Sequence, residues 1–247
     1  MALVAIIGGS GLSQLGNMEA TQRRVARTPY GEPSGALTFG RIDGRDVVFL
    51  ARHGYGHTIA PHEVNYRANI WALKDVGADC VVSVASVGGI RSDLTPGALV
   101  LPDQIIDYTW GRSSTYFEGV GVPVSHIDFT VPYSAQLRKR ILQAAAACKE
   151  EIADGAVYAA TQGPRLETAA EITRLERDGA HIVGMTGMPE AALAREVSLD
   201  YATIAVVANY AAGRGDSAHA IPLDKIGAIL EEAMGRVRRI IGALCEE

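Results

Sequence analysis

The sequence predicts a single α/β domain over residues 1–247, in which a mainly parallel β-sheet is flanked by helices. Three observations predict it. Residues 3–7 and 47–50 are continuous apolar runs, and 80–87 and 201–207 are largely apolar runs interrupted only by Ser or Thr, the pattern of strands buried on both faces. Helical periodicity recurs between such runs, and no repeat, linker or low-complexity stretch divides the chain. Small-residue turns close the strands, so polar groups collect at their carboxyl ends, where open sheets of this kind bind ligands.

Composition narrows the function classes. With 48% hydrophobic and 21% charged residues in 247, the chain can bury a sizeable core. A net charge of −5 and the lack of any basic run argue against a nucleic-acid-coating protein, because phosphate backbones are gripped by clustered Lys and Arg. Cys80, Cys148 and Cys245 are far apart and fall in no zinc-ligand spacing, as expected of reduced thiols in a cytoplasm, and Cys80 reads as core. The apolar N-terminus lacks a basic region and stops at glycines, which suits a strand rather than a signal peptide. No stretch reaches the roughly 18 apolar residues of a membrane span. The expectation is a cytoplasmic protein without a membrane or nucleic-acid partner.

Along the chain, the strand over 3–7 runs into GGSGL, a turn that can present backbone N–H groups and the Ser10 hydroxyl to an anion. The dinucleotide fingerprint fails, because Gln14 stands where the third glycine belongs, and no Walker lysine is present. Residues 37–50 predict a hairpin around Asp43-Gly44. Its second strand exits at Arg52 and His53, either an anion site or a surface charge beside a core histidine. A loop closed by Pro61 leads to a helix that places Val64, Ala68, Ile70, Trp71 and Val76 near one face and ends at Gly77. His53, His57 and His62 invite a zinc reading, but the spacing of His53 and His57 falls in a glycine-broken loop and no further cluster offers a third ligand, so no metal is expected.

The strand over 80–87 ends at Ser86 and Gly88-Gly89, and short strands follow at 98–101 and 104–106. Residues 107–133 are aromatic, glycine-broken and non-periodic, a long loop of the kind that serves function or an interface. A helix over 135–148, a strand over 156–161 and the turn TQGPRLET into a helix ending at Asp178 come next. After a strand over 182–184, Pro189 sits at a first-turn position and Glu190 suits the positive end of a helix, which sets Thr186 beside an anion-favouring helix start. The strand over 201–207 closes in Ala208, Asn209 and Tyr210, and 223–244 is an amphipathic helix through Ile226, Ile229 and Leu230. Singly, Ser10 reads as a turn former and Asn209 as a cap. Ser10, Arg52, His53, Ser86, Thr186 and Asn209 together at the strand ends read as an anion site.

GGSGL, LARHGYGHTIAPHEVNYRANIWALK, TQGPRLETAAEI and GMTGMPEAALARE resemble the trimeric purine nucleoside and methylthioadenosine phosphorylases over nearly the whole chain. The resemblance implies a mixed sheet, a homotrimer, and no metal or organic cofactor. It also implies orthophosphate as the co-substrate that attacks C1′ of a purine nucleoside. By the same resemblance Ser10, Arg52, His53 and Thr186, with backbone at Ala85 and Ser86, hold phosphate, and Met185 meets the ribose. Methylthioadenosine enzymes carry Asp-Tyr-Asp where this chain has Asn209, Tyr210 and Ala211. An amide there, with Glu167 to accept the N1–H of a 6-oxopurine, follows the inosine- and guanosine-cleaving branch. Leu166 replaces the usual aromatic over the base. At the 5′ side Ile221 stands where inosine-cleaving enzymes place a histidine, with Pro222 or His219 as alternative contacts, and an apolar residue suits a methylthio group. The combination implies phosphorolysis of 5′-methylthioinosine. The rivals are a general inosine/guanosine or a methylthioadenosine phosphorylase and, more distantly, a nucleoside-binding protein. His126, in HIDFTVP, resembles the segment that reaches into a neighbouring subunit's site.

Overall fold

The computed structural model describes residues 3–12 and 15–246; Met1, Ala2 and Gln14, used above in reading the N-terminus, lie outside them. The chain runs through β1 (Leu3–Gly8), β2 (Glu19–Arg24), β3 (Leu37–Ile42), β4 (Arg45–Ala51), α1 (Tyr66–Asp75) and β5 (Ala78–Gly89). Next come β6 (Leu99–Leu101), β7 (Gln104–Asp107), α2 (Ala135–Ala147), β8 (Ala153–Asp154), β9 (Val157–Ala160) and α3 (Ala169–Arg177). It ends with β10 (Ile182–Gly184), α4 (Gly187–Glu196), β11 (Asp200–Tyr210) and α5 (Leu223–Glu246). The eleven strands among the described residues form one mixed sheet with a path β2-β3-β4-β1-β5-β10-β9-β7, from which β11, β6 and β8 branch at β5.

The central strands are buried on both faces, which is why they read as continuous apolar runs. In β1, Ala5 and Ile7 pack on the side covered by α1 and α4, whereas Val4 and Ile6 pack on the side covered by α2 and α5. β5 divides in the same way, with Val81, Ala85 and Val87 on one side and Cys80, Val82 and Val84 on the other. The period of two thus feeds two cores from one strand.

The expected hairpin is β3–β4, paired from Ile42 and Arg45 outward. Asp43 (φ 49°) and Gly44 (φ 80°) form its two-residue turn, and two positive φ angles in succession match the twist of the strands. Gly77 (φ 83°) ends the turn after α1. A capping box between Thr168 and Glu171 starts α3, worth about 1 kcal/mol. Unforeseen was β2, whose six residues are all exposed and polar enough to show no strand pattern.

Two local expectations change, and a third residue stands where it was expected. The last expected strand runs on to Tyr210, so Asn209 is a strand residue and not a cap. Met188 (φ −119°, ψ 141°) breaks the first turn of α4, and regular helix begins at Pro189. Glu190 stands in the first turn of α4 as expected, and it is wholly buried there.

Candidate active site

The sheet's topology opens the site. β5 pairs with β1 in parallel as far as Ser83 and with β10, antiparallel, only at Gly88 and Gly89. Between those partners the backbone around Ala85 and Ser86 has no strand on that edge, and a cleft of about 500 Å³ opens there. Such a switch point in an open sheet is where a ligand fits, and the volume suits a small organic molecule. Ser10, Arg52, His53, Ala85, Ser86, Leu166, Glu167, Met185, Thr186, Asn209, Ala211 and Ile221 all line this one cleft.

Arg52, the residue after β4, is fully buried, so it is not a surface charge. Its Nε and Nη2 donate to the two Glu190 carboxylate oxygens at 2.7 and 2.8 Å, a bidentate pair. Nη2 also donates to Ser83 Oγ at 2.6 Å, and Nη1 to the Val84 carbonyl at 3.0 Å. Four of the five N–H groups are thereby committed, which leaves one on Nη1 for the cleft. Glu190 is saturated in turn, accepting from Ser83 Oγ and Tyr201 Oη at 2.8 Å each. The carboxylate raises the guanidinium's pKa against the opposing effect of burial. Gly9 allows the approach, because a Cβ there would lie 2.9 Å from Arg52 Nη1 and 2.6 Å from the Val84 oxygen. Arg52 therefore presents a positioned donor whose charge is already compensated.

His53 is buried beside it, and its Nδ1 lies 2.9 Å from the Ile59 carbonyl. Burial first, and then the charge of Arg52, push its pKa down to about 4. The neutral ring donates from Nδ1 and keeps Nε2 as an acceptor. His57 packs at 4.7 Å between ring centroids and reaches to 3.4 Å of Ser10 Oγ, closing the turn after β1 over this end of the cleft. Thr186 stands at the N-cap of α4 without a side-chain capping bond.

At the other end, Glu167 Oε1 accepts from Thr161 Oγ1 at 2.7 Å, which leaves Oε2 to accept from a ligand. Asn209 Nδ2 donates to the Tyr210 carbonyl at 2.6 Å, so Oδ1 and the second N–H remain. Leu166 is 42% exposed at the rim. Ile221 belongs to the lining, whereas Pro222 and His219 do not. Two residues read only as a helix face join it: Ile226 and Leu230, one turn apart on α5, make an apolar wall with Ile221. His126 is exposed and outside the cleft of its own chain. Among the described residues no group of three or more His, Cys, Asp or Glu side chains is placed to hold a metal, and no helix is long and apolar enough to cross a membrane.

Comparisons with known proteins place this fold in a family. Residues 3–246 match the profile of the Phosphorylase superfamily. A probable S-methyl-5′-thioinosine phosphorylase of Pseudomonas syringae is 52% identical over 238 residues, 96% of each chain. A 6-oxopurine nucleoside phosphorylase of Pyrococcus furiosus is 44% identical over 218 residues, 86% of this chain and 81% of the relative. The crystal structure of methylthioadenosine phosphorylase from Schistosoma mansoni with adenine superposes at a TM-score of 0.93 with 31% identity, covering 100% of this chain and 91% of that one. An anion-ready strand end and a mixed-polarity cleft at one switch point, on a fold shared along its whole length with these proteins, lead to one conclusion: the chain belongs to the Phosphorylase superfamily and is an enzyme of the nucleoside phosphorylase type.

Proposed function

We propose that the enzyme catalyses reversible phosphorolysis of 5′-methylthioinosine, giving hypoxanthine and 5-methylthioribose 1-phosphate. One observation carries the reading. Glu167 and Asn209 at the base end, and the apolar Ile221, Ile226 and Leu230, share a cleft with Ser10, Arg52, His53 and Thr186. Phosphate sits between the Ser10 turn, the free Arg52 N–H, Thr186 and the open backbone at Ala85 and Ser86. Its oxygen adds to C1′ as the C1′–N9 bond breaks, and its charge stabilises the oxocarbenium-like ribosyl group. The electrons of that bond leave with the purine, and Asn209 donates toward N7 as negative charge develops there. No protein nucleophile, metal or organic cofactor is required.

Glu167 Oε2 accepts the N1–H of a 6-oxopurine, and adenine has no such proton to offer. Met185 packs on the ribose. The isoleucine–leucine wall takes a methylthio group and leaves a 5′-hydroxyl unpaired. The same reading includes a homotrimer, in which His126 enters a neighbouring copy's cleft; the exposed Trp110, Val120, Val124 and Val131 along the loop that carries it support that part. The name of the Pseudomonas syringae relative agrees with this substrate, and that of the Pyrococcus furiosus relative agrees with the base but not the 5′ group.

The test is base release from methylthioinosine, inosine, methylthioadenosine and adenosine, each with and without phosphate. Phosphate-dependent release, fastest from methylthioinosine, is expected. Release from methylthioadenosine at equal or greater kcat/KM overturns the base assignment, and inosine ahead of methylthioinosine makes this a general 6-oxopurine nucleoside phosphorylase. Binding without release under either condition makes it a nucleoside-binding protein.

A further inference from the structure

We propose that Arg112, outside the cleft, is a positioning residue that holds the base-reading and phosphate-binding segments in register. This inference rests on the phosphorolysis reading above. Arg112 lies in the irregular stretch after β7, reaches inward and is only half-buried. Its Nη1 donates to the carbonyls of Met185 at 2.8 Å and Met188 at 2.7 Å. Its Nη2 donates to the carbonyl of Gln162 at 2.8 Å and lies 3.3 Å from that of Thr161. Nε donates to Gln162 Oε1 at 3.2 Å, and the guanidinium lies against the Tyr66 ring of α1, 5.5 Å from its centroid.

The two sides of this fork belong to different parts of the reaction. Met185 and Met188 bracket the turn between β10 and α4, which carries Thr186 to the phosphate. Thr161 and Gln162 leave β9 toward Glu167, and Thr161 Oγ1 itself holds the Glu167 carboxylate. All five N–H groups are spent on the protein, so none is left for substrate. One planar side chain thus ties the turn that positions the nucleophile to the turn that positions the leaving group. Lysine cannot substitute, because a single ammonium lacks the two parallel edges that reach both turns.

A register held this way acts on the chemical step more than on either binding step, since a displacement of about 1 Å between reactants can cost about 10²-fold in rate. The experiment compares wild type with Arg112→Lys and Arg112→Ala by steady-state kinetics with methylthioinosine and phosphate. It adds calorimetric titration of methylthioinosine alone and thermal melts. Expected for Arg112→Lys is a fall in kcat of about 10- to 100-fold, with the nucleoside Kd within about threefold of wild type and an unchanged melt. Expected for Arg112→Ala is partial recovery of kcat with millimolar guanidinium, but not with ammonium. Unchanged kcat overturns the proposal, as does a loss confined to the nucleoside Kd or a loss matched by unfolding. A wild type that binds methylthioinosine without turnover fails the phosphorolysis reading instead, which separates the two outcomes.

Discussion

The two ends of the cleft are built differently. At the end proposed for phosphate, Arg52 just past β4 and Ser83, Glu190 and Tyr201 on β5, α4 and β11 are buried and bonded to one another, with Thr203 donating to Tyr201 Oη at 3.2 Å. At the reading end, Leu166, Glu167 and Ile221 sit on connecting segments, exposed or half-exposed, and Glu167 rests on one bond to Thr161. The rigid end suits a reactant that every member of such a family shares. The looser end can change its side chains without disturbing the core, as loops on a fixed scaffold do. Damage to the first should therefore lower stability and act on all nucleosides alike, whereas damage to the second should act chiefly on the ratios between them.

The largest effect is expected from Glu190→Ala. It strands the Arg52 guanidinium in the core, and breaking a buried pair in this way costs about 3–5 kcal/mol. Urea unfolding measures that loss, and a loss near zero would mean that Arg52 finds another partner. Any residual activity should fall in equal proportion for all four nucleosides. Asn209→Asp should move the methylthioinosine to methylthioadenosine ratio of kcat/KM toward the aminopurine, by about 10- to 100-fold, through the hydrogen bonds gained and lost. An unchanged ratio would remove Asn209 as a base reader. Ile221→His should raise inosine against methylthioinosine by about tenfold, the scale of one changed contact in an apolar pocket. No change would leave the 5′ group to Ile226 and Leu230.

A further prediction concerns pH. His53 titrates near 4 in the folded protein against an ordinary value of 6.5. The unfolded chain takes up the proton first, so stability is lost as pH falls from 6.5 toward 4 and is unaffected above that window. His53→Gln should flatten the slope of unfolding free energy between pH 4 and 6.5; an unaltered slope would place the titration elsewhere.

Much of the rigid end was legible because burial writes itself into strands. Apolar runs gave β1, β4, β5 and β11, and their abrupt polar ends gave Arg52, His53 and Asn209. Glu190 was read as a helix-dipole acid, since nothing local links it to an arginine 138 positions away. A buried strand-end arginine implies some carboxylate, but only the fold says which. β2 left no signal, because an exposed polar strand has no periodicity. Ile226 and Leu230 read as core, and on α5 the same stripe continues into true core at Met234, Val237 and Ile241. A cleft wall and a core face share one pattern. Arg112 escaped notice in a stretch without periodicity, although that stretch was expected to be functional.

The central claim is that a common phosphate end is combined with a reading end tuned to a 6-oxopurine and an apolar 5′ group. It is tested most directly by competition, with equal concentrations of methylthioinosine, inosine, methylthioadenosine and adenosine consumed together in excess phosphate. Relative rates of disappearance give relative kcat/KM within one sample. The account predicts that methylthioinosine disappears first and adenosine last. Consumption of methylthioadenosine at or above the rate of methylthioinosine would contradict it.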